Sequence, residues 1–467
     1  MHQFMIAGTK SGVGKTTVAM GLMAALSKRM TVQPYKVGPD YIDPAFHSYI
    51  TGRTCRNLDS YMLSEDMIHY FYEKNQVGAE ATVVEGVMGL FDGAEVGSDI
   101  GTSASIAKML HLPVILVVDG SKVASSLAAT VKGFELFDPA LTIAGVIVNN
   151  VGSALHYDIL KRAIIYHTDV QPCGYLLKNS ALTLPERHLG LVPASEQVAL
   201  DEVFEALGTA IEATVDVDEI LRISELGKVS ERKRETKSWT PEVFNTKPLR
   251  IGIAQDKAFN FYYQDALDLL SDYGGVTWVP FSPLSDQQLP ENLHGLYFGG
   301  GFPEVFADGL SNNISFVKDL LNQLAAGIPY TAECGGLMYL CESLVDLDNQ
   351  SHKMVGWFKG KTMMTKRLQR FGYAALTLNQ SCVYGDKGKV IRIHEFHRSS
   401  AEVADEMVYD IEKIRYSEVV KAWSCGYKKG NGVAAYAHMH FGSNMDFGKN
   451  FVNTCLTYKR SVKKWSI

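Results

Sequence analysis

Two stretches of this chain carry residue types at spacings that can do chemistry. The first is Gly8-Thr9-Lys10-Ser11-Gly12-Val13-Gly14-Lys15-Thr16-Thr17, which follows a short apolar run and opens a helical pattern. Strand, glycine loop, helix is the order a phosphate cradle needs. Glycines let successive N–H groups converge on phosphate oxygens, and the helix N-terminus adds its positive end. In such a cradle Gly12, Gly14 and Thr17 bind ATP, Lys15 reaches the outer phosphates and the Thr16 hydroxyl sits on Mg²⁺. The common G-x-x-x-x-G-K-[ST] loop asks for glycine where Thr9 stands. The closer pattern is K-x-G-x-G-K-T, from Lys10 to Thr16.

The second stretch is Tyr330-Thr331-Ala332-Glu333-Cys334-Gly335-Gly336-Leu337. An apolar strand meets Cys334, two glycines follow, and an apolar helix begins. That is the sharp turn in which a nucleophile is held at a sheet edge. A helix N-terminus favours a thiolate, and the Gly335 N–H lies behind the attacking atom. Gly299-Gly300-Gly301 ends another strand and offers further N–H groups for an oxyanion. Cys55, Cys173, Cys341, Cys382, Cys425 and Cys455 lack this setting. A nucleophilic cysteine needs a base. Gly432–Gly442 reads as one strand with His438 and His440 on one face, either of which can serve. His394-Glu395-Phe396-His397 offers a second strand of the same alternation.

Acids gather near the first stretch. Gly38-Pro39 halts a strand and leaves Asp40 and Asp43 in a loop, Glu85 precedes a glycine turn, and Asp92 follows it. Carboxylates at strand ends hold Mg²⁺ directly or through water, which makes Asp40 and Glu85 metal candidates beside Thr16. Acids in Gly/Pro loops also serve as plain turn residues, and for Asp43 before Pro44 both readings stand. Asn149 suits either a purine contact or the cap of the next helix.

The elements that must position these groups alternate. Strand patterns at Gln3–Ala7, Val32–Val37, Thr82–Gly86, Val114–Asp119, Ile143–Asn149 and Gly174–Leu176 are separated by helical ones. This predicts an α/β, doubly wound parallel sheet. From Glu225 to Pro248 a charged, proline-punctuated run reads as a linker. A second sheet then starts at Leu249, with Val276–Phe281 and Gly295–Phe298 to follow. The expected organisation is residues 1–224, a linker at 225–248, and residues 249–467.

Composition agrees. At 467 residues the chain is too long for one ordinary core. Its 46% hydrophobic and 21% charged content predicts a soluble protein, and a net charge of −6 gives no support for nucleic-acid binding. The seven cysteines are scattered without a CxxC pair, which predicts a reducing compartment, with the cytoplasm as the address. No basic leader and no apolar run of membrane-spanning length is visible.

Taken together, Gly8–Thr17, GPDYIDP at Gly38–Pro44, VEGVMGLFDG at Val84–Gly93, GGGFPE at Gly299–Glu304, AECGG at Ala332–Gly336, HEFH at His394–His397 and AYAHMHF at Ala435–Phe441 occur in an order that resembles the cobyrinic acid a,c-diamide synthase family. The resemblance spans nearly the whole chain. It implies a dethiobiotin-synthetase-like P-loop NTPase domain joined to a class I glutamine amidotransferase domain. It implies amidation of two carboxylates of a tetrapyrrole, cobyrinate, with ATP, Mg²⁺ and glutamine; hydrogenobyrinate and nickel-sirohydrochlorin are alternative substrates. By the same resemblance Cys334 is the nucleophile, His438 the base and His440 the second choice, with Gly300, Gly301 and Gly335 around the oxyanion. Tyr41, Asp43 and Asp92 become candidates for the substrate or phosphoryl site.

Three departures stand out. Many amidotransferases of this class carry a glutamate two residues after the base; here that place is His440, so the orienting group is unassigned. Arg398 replaces the tyrosine of HEFHYS, and Ala435 a serine. A homo-oligomer is compatible with everything read. The rival from another class is a nucleotide-switched partitioning or metal-insertion ATPase, which has no use for the cysteine and histidine settings.

Overall fold

The first strand, β1 (His2–Gly8), buries Phe4, Met5, Ile6 and Ala7 completely. A strand apolar on both faces belongs inside a parallel sheet covered on both sides. The computed structural model, which describes residues 1–178, 186–187, 190–191, 200–225 and 240–465, shows that sheet. With β2 (Val32–Val37), β3 (Arg56–Leu58), β4 (Ala81–Gly89), β5 (Val114–Asp119), β6 (Ile143–Val151) and β7 (Gln171–Leu177), its order is β3-β2-β4-β1-β5-β6-β7. Every neighbouring pair is parallel. Ligands in such sheets collect beyond the carboxyl ends of the strands.

Helix α1 (Lys15–Ser27) buries Val18, Leu22, Ala25 and Leu26, and also Ala19, Met20 and Met23. It is apolar nearly all round because it has two neighbours. One is the sheet; the other is the helix Leu200–Thr214, against which Gly21 packs so closely that a Cβ would lie 2.7 Å from Ile211. Helix α2 (Ile42–Thr51) follows β2.

The chain divides into two compact units, Met1–Thr240 and Pro241–Ile467. The second is built on a ten-stranded sheet. Val276–Phe281, Leu249–Ala254, Gly295–Phe298, Tyr330–Glu333 and Gly432–Ala435 form its parallel half. Beyond Gly432–Ala435 the sheet turns antiparallel through Glu418–Lys429, Glu406–Arg415, Arg370–Leu378, Val390–His397 and His438–Met439. A smaller four-stranded sheet lies beside it.

Three local expectations change. β4 runs through Glu85 to Gly89, so Glu85 is an interior strand residue and not the last before a turn. The Gly432–Gly442 strand is two strands, Gly432–Ala435 and His438–Met439, which puts His438 and His440 in different environments. Of the charged run 225–248, residues 226–239 lie outside the described residues. The described end is held to the second unit: the N–H groups of Phe244 and Asn245 donate to the Tyr273 carbonyl at 2.9 and 3.1 Å.

Candidate active sites

The glycine loop lies between β1 and α1. Gly12 and Gly14 have φ of 74° and 89°, a left-handed backbone that side chains resist. Gly14 also has no room: a Cβ there would lie 2.0 Å from Asn149 Nδ2. That amide donates to the Val13 carbonyl at 2.9 Å and pins the loop to β6. Asn149 therefore holds the loop and does not cap the following helix, whose N-cap is Ser153. At Gly12, which is exposed, nothing lies within 4 Å of a Cβ, so the loop is open there. No side chain caps the N-terminus of α1. Uncapped N–H donors beside an open glycine cradle fit an anion such as a nucleotide phosphate.

Behind the loop lies a buried charge cluster. Glu85 is fully buried and accepts from Thr16 Oγ1 at 2.7 Å, Lys36 Nζ at 2.9 Å and His47 Nε2 at 2.5 Å, with Lys15 Nζ at 3.8 Å. Burial alone would push its carboxyl up. Lys36, His47 and Lys15 outweigh that and hold it well below the usual range. Lys36 also reaches Asp43 Oδ2 at 2.5 Å and Asp40 at 3.7 Å. Burial works against its charge, yet Asp43, Glu85 and Asp40 together keep it firmly protonated. Asp43 is pushed up to about 6, by burial first and by Asp40 second. Lys15 is pushed down, by burial and then by Lys36.

The remaining candidates take plainer positions. Asp40 Oδ1 accepts the N–H groups of Ile42 and Asp43 at 2.8 and 3.1 Å, which secures the start of α2. Tyr41 is the N-cap residue of that helix. Thr17 is half-buried on α1. Asp92 closes the turn after β4 by accepting the Gly89 N–H at 3.0 Å. Among the described residues no group of three or more His, Cys, Asp or Glu is arranged to hold a metal by itself. A cation that arrives with nucleotide phosphates needs only one or two carboxylates and a hydroxyl, and Thr16, Asp40 and Glu85 fit that set.

In the second unit Cys334 stands between the strand Tyr330–Glu333 and the helix Gly335–Leu340 with φ 48° and ψ −100°. A non-glycine residue in this region is strained, as at other nucleophile turns. The turn is held by its own N–H, which donates to Ala435 O at 2.7 Å, and by its carbonyl, which accepts from Met338 at 3.1 Å. The glycines permit close approach. A Cβ on Gly335 would lie 3.2 Å from Gly301 N, one on Gly300 would lie 2.6 Å from His438 Cε1, and Gly301 has φ 155°. Around them, the N–H groups of Gly299, Phe302 and Gly336 donate to Tyr262 Oη, Ala258 O and Gly299 O.

His438 is hydrogen-bonded to Cys334 and faces Glu333, whose Oε2 lies 3.5 Å from its Nδ1. Burial would lower its pKa; Cys334 and Glu333 instead raise it to about 10. His440 is pushed down to about 3 by burial, and its Nδ1 accepts the Gly442 N–H at 3.0 Å. His394, opposite His438 in the ladder, is also pushed down to about 3, by burial and then by His438. Geometry thus separates the two histidines, which strand alternation left level and the resemblance ranked with His438 first. His397 stacks on Tyr436 at 3.8 Å, and Arg398 Nη1 donates to the Lys366 carbonyl at 2.8 Å.

Sequence reasoning passed over Lys36, His47, Glu333 and Tyr297. Lys36 lies two residues before GPDYIDP and Glu333 lies inside AECGG, but nothing local to them reveals their partners.

A nucleotide-cradling α/β unit and a cysteine–histidine unit on one chain define an ATP-binding protein with a glutamine amidotransferase domain. Residues 4–198 match the CobQ/CobB/MinD/ParA nucleotide binding domain and residues 250–446 the CobB/CobQ-like glutamine amidotransferase domain. The chain belongs to the cobyrinate a,c-diamide synthase family. It is 48% identical to the cobyrinate a,c-diamide synthase of Streptococcus sanguinis, covering 94% of this chain and 96% of the relative. The proteins of that name from Listeria monocytogenes and Salmonella typhimurium are 46% and 42% identical, over 95% and 94% of this chain and 97% and 95% of theirs. No helix among the described residues is long and apolar enough to cross a membrane.

Proposed function

We propose that the chain converts the a and c side-chain carboxylates of cobyrinate to amides, with two ATP and two glutamines. The carrying observation is the pairing, on one chain, of the uncapped glycine loop at Gly12–Thr16 with the strained Cys334 beside His438. The names of the relatives support the substrate. We assign the synthetase to residues 1–224 and the amidotransferase to 249–467, in a cytoplasmic enzyme.

A carboxylate is a poor electrophile. Its oxygen attacks the γ-phosphorus of ATP, the bond to the β-phosphate oxygen breaks, and ADP leaves behind an acyl phosphate. Lys15, the N–H groups at Gly12 and Gly14, and the start of α1 at Thr16 and Thr17 bind and orient the phosphates, a task of positioning and charge stabilisation. Thr16, Glu85 and Asp40 would hold the Mg²⁺ that accompanies the nucleotide, which would neutralise charge on the phosphates. Tyr41, Asp43 and Asp92 are our candidates for contact with the acyl group.

At the other site the Cys334 thiolate attacks the glutamine amide carbon. The oxyanion is held by N–H groups of Gly335 and of Gly300–Gly301. His438 gives its proton to the departing nitrogen, the C–N bond breaks, and ammonia and a thioester result. Water then attacks the thioester, losing its proton to His438, and glutamate leaves. Ammonia attacks the acyl phosphate and expels phosphate.

The test is mass spectrometry of product formed from ATP, Mg²⁺, glutamine and, separately, cobyrinate, hydrogenobyrinate or nickel-sirohydrochlorin. Loss of about one mass unit per carboxyl-to-amide conversion, twice over and only with ATP, is expected for cobyrinate. Mass loss with one of the others alone would reassign the substrate. ATP hydrolysis with no mass change in any would favour the switch ATPase.

A further inference from the structure

The base of the glutaminase pair needs a group to fix its tautomer and stabilise its charge, and the position two residues beyond it holds His440. His440 cannot do that work, since it is buried neutral and its Nδ1 is engaged by Gly442. A carboxylate reaches His438 from another direction. Glu333 is the last residue of its strand, 2% exposed, immediately before the nucleophile. Its Oε1 accepts from Tyr297 Oη at 3.0 Å and from the Met439 N–H at 3.4 Å. These two donors fix the carboxylate plane and turn Oε2 toward His438 Nδ1, 3.5 Å away.

We propose that Glu333 is the positioning carboxylate of the Cys334–His438 pair. It does from the residue before the nucleophile what the acid two places after the base does elsewhere in the class. This rests on the reading of Cys334 and His438 as the glutaminase centre.

The chemistry follows from the placement. With Nδ1 directed at Glu333, Nε2 is the nitrogen left for the thiol. At rest the proton lies on His438, and turnover passes it from Nε2 to the departing amide nitrogen while Glu333 holds the ring in place. A separation of 3.5 Å is long for a hydrogen bond and suits a contact that shortens during turnover. The other ionisable groups facing the pair cannot replace Glu333. His394 is neutral, while Tyr262, Tyr297 and Tyr384 near the carboxylate are all pushed up by burial and stay protonated.

The experiment compares Glu333→Gln, Glu333→Asp and Tyr297→Phe in the full chain. It reads glutaminase kcat and KM, the alkylation rate of Cys334 by iodoacetamide near neutral pH, and the melting temperature. For E333Q, kcat should fall by about 10²- to 10⁴-fold, the range for a triad acid turned amide, with KM moving by less than about threefold. Alkylation should slow by about tenfold or more as the thiolate loses its charged partner. E333D should recover most of both. Retention of kcat within about threefold, or slow catalysis with unchanged alkylation, would overturn the proposal. If E333Q does not fold, Y297F decides. It should lower kcat by about five- to tenfold at constant KM, as loss of one hydrogen bond to a charged group does, and an unchanged kcat would overturn the proposal. Glutamine hydrolysis that survives Cys334→Ala would instead sink the glutaminase reading itself.

Discussion

The side-chain amide of Asn149 donates to the carbonyl of Val13 across 2.9 Å, so the end of β6 fixes the shape of a loop that follows β1. The same amide fills the space a side chain on Gly14 would need. The cradle is thus set by a strand two places away in the sheet as well as by its own glycines.

Asn149→Ala should therefore weaken nucleotide binding without touching glutamine hydrolysis. A buried carbonyl left without its donor costs about 1–3 kcal/mol, so a KM for ATP raised by about tenfold is expected. Steady-state kinetics with varied ATP checks this, and an unchanged KM would show that the loop holds its shape unaided.

Lys36→Met should destabilise the first unit strongly. Lys36 is 3% exposed and is bound to Glu85 and Asp43, so removing it leaves two buried carboxylates facing each other beside Lys15. Breaking a buried ion network from one side costs about 3–5 kcal/mol. Urea unfolding of the full chain measures it, and a loss under about 1 kcal/mol would mean the acids simply protonate.

Cys334→Ser should abolish amidation driven by glutamine while amidation driven by added ammonium persists, since the acyl phosphate forms at the other site. Product assays with each nitrogen source check it. Glutamine-driven turnover in this variant would remove Cys334 as the nucleophile.

His438 and His440 should respond differently. His438→Asn removes the group bonded to Cys334 and should lower glutaminase kcat by about 10³-fold or more. His440→Asn loses an acceptor for the Gly442 N–H and should cost less than about tenfold. Equal losses would mean both rings serve the nucleophile.

The pH dependence of stability has a definite sign. His438 has its pKa raised from 6.5 to about 10 in the folded state, because Cys334 and Glu333 outweigh burial. Between these values the folded chain holds a proton that the unfolded chain has lost. The stabilisation is complete below the lower value and fades as pH rises through the upper. The gap in melting temperature between unsubstituted protein and His438→Asn should narrow over that window; a constant gap would contradict it.

Both reactive stretches were legible because each is contiguous. A glycine loop between strand and helix, and a cysteine between strand and helix, are local geometry written in local residues, and the alternation of apolar runs pointed to the parallel sheet of the first unit. The acid of the glutaminase centre was not legible, although it adjoins the cysteine. A side chain at a strand end has no partner until another strand delivers one, and here His438–Met439 and Gly295–Phe298 bring His438, Met439 and Tyr297 to Glu333. Asp40 and Asp92 also accept backbone N–H groups, as turn acids do, alongside the roles proposed for them. Lys36, on β2, looked like an ordinary strand residue. Only the parallel pairing of β2 with β4, which sets Lys36 beside Glu85, made it the hub of the cluster. Sequence by itself determined which backbone turns could form. Tertiary structure decided which charges meet, because Coulomb attraction and desolvation act between groups that only the folded sheet brings within a few ångströms.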